Sequence, residues 1–221
     1  MVYLGTTNPG KVREFVSRLS PLGIDVKTVS LEVREPFETL AENAWEKAHA
    51  YSRHVNDVVV VEDSGIFIDA LGGLPGVWSA RFSHFNENTR TEEPPQEGRT
   101  RESIDLMNNA KVLALLEGVP MALRGAEFRI HLIVADPIRT RFEVECSYRG
   151  FISGFPRGVN GFGYTPIFIG WDTDGQTLAE LSHEEIYQRS HRRKALDAML
   201  AWVEATPGAL LSNPLGGDCH E

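Results

Sequence analysis

The sequence has little cysteine, no long hydrophobic run and no excess of positive charge. Its two cysteines, Cys146 and Cys219, lie far apart in 221 residues, so we expect no disulfide framework and a reducing compartment. No apolar run approaches the roughly 20 residues of a transmembrane helix. The N-terminus lacks the basic and apolar stretches of a signal peptide, which favours a cytoplasmic protein.

The net charge limits the possible binding partners, and the order of predicted strands and helices indicates the fold class. A net charge of −9 argues against broad nucleic-acid binding, which needs a basic face. Hydrophobic residues make up 42% of the chain, enough for a core of useful size. Predicted strands alternate with helices and a hairpin follows, with no internal repeat. This pattern predicts an α/β fold with a mixed sheet and a second lobe around the hairpin.

The stretch from Val58 to Phe82 is the strongest candidate for a site. Four valines predict a buried parallel strand, which we expect to end at Glu62 and Asp63, before Ser64 and Gly65. Ligand sites lie at the carboxyl ends of such strands. Adjacent carboxylates there suggest a site that handles a divalent cation or a water. A Gly-rich turn, 72–76, follows, and Arg81 brings a guanidinium near the same loop.

A second candidate lies at the N-terminus, where a short strand, Val2–Leu4, precedes a helix. Asn8 is suited to cap that helix and Pro9 to occupy its first position, and Gly23 is expected to end it. Free amides and Lys11 in the first turn favour an anion site. An ordinary capped helix with a solvated lysine explains the pattern equally well, and there is no Walker loop.

The next elements are a strand at 24–29 and a helix from Thr39 to Val55. Thr39 and Glu42 match a capping box, although Glu42 at a helix start is also suited to hold a metal ion or water. Lys47 is either solvated or a phosphate contact.

The middle of the chain alternates loops and regular elements. We expect a surface loop over 86–102, a helix over 106–116, and a hairpin of strands 127–135 and 141–152. His131 in the first of these strands is interpreted as structural. The tail, 207–221, is expected to be flexible.

Two later segments carry further candidates. Phe162 and Tyr164, in a glycine-rich segment, can stack on a planar base or form a packed aromatic turn. Ser190 is a plausible cap for a helix with His191 and Arg192 in its first turn. Cations there oppose the helix dipole, which suggests a ligand that is anionic or a strong acceptor.

Five motifs together resemble one family. They are TTNPGKVREF, ENAWEKA, VEDSGIFIDALGGLPGVWSARF, GFGYTPIF and AELSHEEIYQRSHRRKAL. In this order, over most of residues 2–204, they resemble the inosine triphosphate pyrophosphatases, the Ham1/RdgB-type non-canonical purine nucleotide pyrophosphatases. The resemblance implies one ITPase-like domain over 1–206, with a mixed sheet flanked by helices and a nucleotide cleft between two lobes.

The resemblance also implies an activity and a set of roles. The family hydrolyses ITP, dITP and XTP to the monophosphate and pyrophosphate with Mg²⁺, usually as a homodimer. Asp63 would be the general base, and Glu42, Glu62 and Asp63 would hold the metal. The substrate would be bound by Thr6, Thr7, Asn8, Lys11, Lys47, Ser64, Arg81, Phe162, Gly163, Tyr164, Thr165, His191 and Arg192.

Two positions depart from the family pattern. Thr165 stands where the family usually has aspartate, and Ile186 where it usually has lysine. We therefore consider a shifted base preference, towards another modified purine or pyrimidine nucleotide, as an alternative. A nucleotide-binding module without catalysis is the other alternative.

Overall fold

A computed structural model describes residues 1–92 and 98–211 of the chain. These residues form eight strands and five helices. The strands are β1 (Val2–Leu4), β2 (Val26–Thr28), β3 (Val59–Ile68), β4 (Phe85–Asn86), β5 (Thr91–Glu92), β6 (Gly125–Ala135), β7 (Thr140–Ile152) and β8 (Phe168–Gly170). The helices are α1 (Pro9–Leu19), α2 (Leu40–Val55), α3 (Arg101–Leu115), α4 (His183–Arg189) and α5 (His191–Ala205).

The predicted mixed sheet is confirmed. It has six strands in the order β2-β1-β3-β6-β7-β8. Strand β1 is parallel to both β2 and β3, whereas β7 is antiparallel to β8. The hairpin is also confirmed, because β6 and β7 are neighbours joined by residues 136–139.

The contacts divide the chain into two compact units. One contains Met1–Asp63, Ile130–Cys146 and the described part of Arg192–Glu221, and the other contains Ser64–Arg129 and Ser147–His191. Each unit has its own hydrophobic core.

The first unit packs helices against both faces of its strands. Val58 and Val60 lie in a cluster with residues of α1 and α5, including Phe15 and Leu196. Val59 and Val61 lie in another cluster with Ala44 and Ala48 of α2. Successive side chains of a strand point to opposite faces, so the valine run covers both faces with apolar surface.

Strand β3 is longer than the sequence predicted. It does not end at Glu62 and Asp63 but continues to Ile68, so the two acids lie within the strand. Gly65, which we expected to follow the end of the strand, lies inside it and is a close-approach position. A Cβ there would lie 2.2 Å from the carbonyl oxygen of Gly76, so the strand needs a residue without a side chain.

The second unit has a core of large apolar side chains and a helix, α3, that begins earlier than expected. Thr100 accepts a hydrogen bond from the amide of Ser103 and caps α3 at Arg101 rather than at Leu106. The predicted surface loop contains the antiparallel pair β4–β5, and residues 93–97 of it lie outside the described part. The core consists of Ile66, Ile68, Phe82, Phe85, Val112, Leu116, Ala126, Tyr148, Ile152, Tyr164, Ile167, Phe168, Leu178 and Leu181.

Several smaller expectations are corrected or lie outside the description. Helix α1 ends at Leu19, and Gly23, at φ 71°, ends the single 3₁₀ turn that follows. Helix α4 was not predicted, although Ser182 and Glu185 form its capping box. Most of the expected flexible tail, 212–221 with Cys219, is not described. None of the helices in residues 1–92 and 98–211 is long and apolar enough to cross a bilayer.

Candidate active site

The N-terminus of α1 presents a lysine to the acid of β3. The side chain of Asn8 accepts hydrogen bonds from the amides of Gly10 and Lys11 at 2.9 and 3.3 Å, which confirms the cap. Lys11 Nζ then lies 2.5 Å from Glu62 Oε1. Lys11 is therefore half-buried and paired, since the buried carboxylate of Glu62 holds it at the helix N-terminus.

Lys47 lies on α2, which packs against the Val59 and Val61 face of β3. Its side chain pairs with two carboxylates. Its Nζ lies 3.0 Å from Asp63 Oδ1 and 2.9 Å from Glu35 Oε1. Burial alone would lower the pKa of Lys47, but the charges of Asp63 and Glu35 raise it to about 12. Lys47 is thus held as a cation beside Asp63.

The adjacent acids Glu62 and Asp63 have opposite pKa shifts. Burial would raise the pKa of Glu62, but the cations Arg192 and Lys11 hold it well below its usual range. Burial raises the pKa of Asp63, and Lys47 only partly offsets this. When two neighbouring acids have pKa values shifted apart, the acid with the lowered pKa, here Glu62, stays charged. The acid with the raised pKa, here Asp63, is the better candidate for proton transfer.

Arg192, at the start of α5, is buried and faces two carboxylates. Its Nη1 lies 2.8 Å from Glu14 Oε2 and its Nε lies 3.6 Å from Glu62 Oε1. Burial would lower the pKa of Arg192, but Glu62 and Glu14 raise it. The sequence suggested a ligand that is anionic or a strong acceptor beside this cation at a helix N-terminus; in the structure, Glu14 and Glu62 of the protein provide negative charge there, and the ligand stays a prediction.

The remaining predicted positions of this unit form the α1 turn and the start of α2. Thr6 Oγ1 accepts a hydrogen bond from the amide of Asn8, and Thr7 is exposed. Glu42 is exposed and accepts a hydrogen bond from the hydroxyl of Thr39 at 2.6 Å. Its observed contact is therefore part of the helix start.

In the second unit, Arg81 has contacts of its own. Its Nε lies 2.8 Å from Glu92 Oε2, and its guanidinium lies 4.9 Å from the ring centre of Trp78. Ser64 is half-buried. These contacts hold the Arg81 side chain at the edge of the β4–β5 pair.

The two aromatic residues of GFGYTPIF differ in burial. Tyr164 is only 5% exposed and its hydroxyl donates to the carbonyl of Ser79 at 2.8 Å, whereas Phe162 is half-buried. His191 is stacked on Phe128, with ring centres 5.2 Å apart. Tyr164 therefore belongs to the core of its unit, and Phe162 is the more accessible ring.

Both departures from the family pattern have structural contacts. The Thr165 hydroxyl donates to the carbonyl of Asn160 at 3.1 Å. Ile186 packs against the hydrophobic core of the second unit. Each residue thus stabilises its own surroundings, and the shifted base preference stays a prediction.

Sequence reasoning missed Glu14 and Glu35. Glu14 lies three residues after Lys11, on the same side of α1, which is a signal available in the sequence. Glu35 lies in an irregular segment before α2, where no periodicity marks it. The structure thus brings together five predicted residues, Lys11, Lys47, Glu62, Asp63 and Arg192, with these two unpredicted acids.

Comparison with known proteins gives a consistent result. Residues 2–202 match the model of the Ham1 family. A dITP/XTP pyrophosphatase of Bacillus licheniformis is 40% identical over 92% of this chain and 97% of its own length. A protein of the same name from Geobacillus kaustophilus is 41% identical over 94% and 96%.

Solved structures share the fold. The Ham1 protein of Staphylococcus aureus has a TM-score of 0.73 at 29% identity, over 92% of this chain and 98% of that one. A nucleoside-triphosphatase, dITP/XTP pyrophosphatase, of Mycobacterium abscessus has a TM-score of 0.67 at 35% identity, over 91% and 98%. The chain is therefore an α/β protein with the fold of these solved structures. The chain belongs to the Ham1 family.

Proposed function

We propose that this protein is a nucleoside triphosphate pyrophosphatase that acts on the non-canonical purine nucleotides ITP, dITP and XTP. One observation carries the proposal: the buried carboxylate of Asp63 lies 3.0 Å from the cation of Lys47, while the adjacent buried Glu62 is paired with Lys11. Burial raises the pKa of Asp63. A base with a raised pKa works closer to neutral pH. The names of the relatives supply the reaction and the substrate class.

Asp63 would act as the general base. Its carboxylate would take a proton from water as the water oxygen bonds to the α-phosphorus. The bond from that phosphorus to the oxygen bridging the β-phosphate would break, and pyrophosphate would leave with the electron pair. Lys47, 3.0 Å from Asp63, would keep the carboxylate charged and oriented until the proton arrives.

The triphosphate would meet the N-terminus of α1. Thr6, Thr7 and Asn8 form the turn, and Lys11 adds a positive charge; helix N-termini bind anions through free amides and the helix dipole. Lys47 and Arg81 are proposed as further cationic contacts.

We also propose a magnesium ion at Asp63, beside Lys47. Glu62, whose side chain lies on the other face of β3 with Lys11, is a further ligand on the resemblance. Glu62 Oε2 and Asp63 Oδ2 are buried and accept no hydrogen bond from the described residues. Mg²⁺ prefers carboxylate oxygens and, when bound, would offset charge that develops on the phosphate. Residues 1–92 and 98–211 contain no group of three or more acids, histidines or cysteines that could hold a metal, so water and phosphate oxygens would complete the coordination. Glu42, the third ligand that the resemblance implies, is not grouped with Glu62 and Asp63 among the described residues, so its proposed part in holding the ion rests on the resemblance alone.

The base would contact the second unit. We propose that Phe162 and Tyr164 bind it with Gly163, Thr165 and Ser64, and that His191 and Arg192 read its 6-oxo group. The accessible ring of Phe162 supports stacking. The contacts of Arg192 with Glu14 and Glu62 support an internal role, so its reading of the base rests on the resemblance.

A nucleotide panel tests the activity. Pyrophosphate release with Mg²⁺ is measured for ITP, dITP, XTP, ATP, GTP, dUTP and a modified dCTP. We expect kcat/KM to be higher for ITP, dITP and XTP than for the other nucleotides. Highest turnover on another nucleotide would replace this substrate class with the shifted base preference, and no pyrophosphate from any of them would contradict the enzyme and favour a binding module.

We further propose a homodimer in the cytoplasm, on the resemblance and the composition. Light scattering after size exclusion tests the dimer; a mass near the 24.6 kDa of one chain would contradict it. Nucleic acid and membranes are not proposed as partners.

A further inference from the structure

Helix α3 presents two polar side chains to the Phe162–Tyr164 segment. Asp105 and Asn109 are four residues apart and so lie on one side of the helix. Asn109 is 3% exposed, and the side chain of Asp105 is 13% exposed. Buried polar groups are unfavourable unless they are hydrogen-bonded, so their partners indicate what these residues do.

Both partners belong to one residue, Gly163. Its amide donates to Asp105 Oδ2 at 2.9 Å, and its carbonyl accepts from Asn109 Nδ2 at 3.0 Å. Gly163 has a φ of 64°, in the left-handed region that favours glycine. The peptide groups before and after Gly163 are therefore both fixed by α3.

The flanking rings depend on these peptide groups. Tyr164 has a second anchor, because its hydroxyl bonds to the carbonyl of Ser79. Phe162 is half-buried, and the peptide that joins it to Gly163 is held by Asp105. Arg101 Nη2 lies 3.0 Å from Asp105 Oδ1 and pairs with that carboxylate. The backbone that carries the accessible ring is thus held by the two α3 side chains.

We propose that Asp105 and Asn109 are positioning residues for base recognition, which orient the Phe162–Tyr164 segment through the backbone of Gly163. This inference rests on the proposed function, in which that segment binds a purine base. Neither side chain is expected to touch the reacting atoms.

Steady-state kinetics test the proposal with two substrates, dITP and methyl triphosphate, which has no base. Asn109→Leu keeps the side-chain size but removes the donor, and Asp105→Ala removes the acceptor. Each should raise KM for dITP about tenfold, as expected for a lost buried hydrogen bond, with little change in kcat. Their kcat/KM for methyl triphosphate should match the wild type.

Two controls separate positioning from a general loss of structure. Asp105→Asn retains an oxygen that can accept from Gly163 and should restore most of the dITP affinity lost in Asp105→Ala. Leu106→Ala changes an exposed residue of the same helix and should leave kcat and KM unchanged for both substrates. An equal loss on dITP and methyl triphosphate, or no loss on either, would overturn the proposal.

Amide hydrogen exchange at Gly163 tests the contact without activity. We expect the amide to be protected in the wild type and in Asp105→Asn, and to exchange at least tenfold faster in Asp105→Ala. Equal protection in all three would overturn the positioning role even in an active enzyme. Fast exchange in Asp105→Ala, with no pyrophosphate released from any nucleotide by the wild type, would keep the contact but overturn its role in recognition together with the proposed function.

Discussion

Glu62 and Asp63 are neighbours in β3, but their side chains lie on opposite faces of the sheet. Glu62 continues the face of Val58 and Val60 and meets Lys11 and Arg192. Asp63 continues the face of Val59 and Val61 and meets Lys47 of α2. The period of two along a strand thus gives two identical functional groups different neighbours and different proton affinities.

Asp63→Asn should lose most of the activity. An amide cannot accept the proton from water, and a general base contributes about 10²- to 10⁴-fold to the rate. We expect kcat for dITP to fall within that range while nucleotide binding, measured by calorimetry, is retained. Asp174→Asn, at an exposed acid, is the matched control. Turnover within about threefold of the wild type in Asp63→Asn would exclude Asp63 as the base.

The pH profile should depend on Lys47. Activity needs deprotonated Asp63, so kcat/KM should fall as the pH decreases through its raised pKa. Lys47→Met removes the cation that lowers the pKa of Asp63, and the acidic limb should move to higher pH. The measurement is kcat/KM for dITP against pH, with Lys27→Met, at an exposed lysine, as control. An acidic limb at the same pH in both variants would contradict the coupling.

Glu62→Gln should destabilise the fold. Lys11 would lose its carboxylate and buried Arg192 would keep only Glu14; breaking a buried ion pair costs about 3 kcal/mol or more. The folded pKa of Glu62 lies below its ordinary value of 4.5. Its stabilisation is therefore fully present above pH 4.5 and is lost as the pH falls below it.

Urea unfolding at pH 7 and at pH 3.5 measures this effect. The difference between wild type and Glu62→Gln should be larger at pH 7. Glu46→Gln, at an exposed acid of α2, should change stability by less than about 0.5 kcal/mol. A difference that grows towards acidic pH would contradict the assignment of Glu62 as the permanently charged acid.

Gly65→Ala should be far more damaging than Gly154→Ala. The added Cβ at position 65 would lie 2.2 Å from the carbonyl oxygen of Gly76, whereas nothing lies within 4 Å of one at position 154. Overpacking of this kind costs about 1–3 kcal/mol. Thermal unfolding of the two variants provides the comparison. Equal unfolding midpoints would contradict the prediction, because they would mean that β3 accommodates the added Cβ at position 65 without loss of stability.

Local signals in the sequence predicted much of the fold. Asn8 and Thr39 were recognisable as caps because capping needs only neighbours in sequence. The buried strand was predicted from its valines, but not its length, since glycine signals a turn and a close approach alike. Only the folded chain places Gly76 beside Gly65 and distinguishes the two.

The candidate site was predictable as a set of residues but not as a set of contacts. Lys11, Lys47 and Asp63 were recognised from motifs, whereas the pairing of Arg192 with Glu14 joins positions 178 residues apart. No local pattern encodes such a contact. For the same reason, the hydrogen bond between Asp105 and Gly163 was not predicted. The sequence around an acid in a helix does not indicate which distant residue it contacts.

The ion pairs of Lys11 and Arg192 have a consequence for ligand entropy. Long cationic side chains lose about 1.5–2 kcal/mol of rotamer freedom when they are fixed. Glu62 and Glu14 already fix these two side chains, so that loss occurs during folding. An anion that binds at the α1 turn then meets a lysine already held in place, and a larger share of its interaction energy is available as affinity.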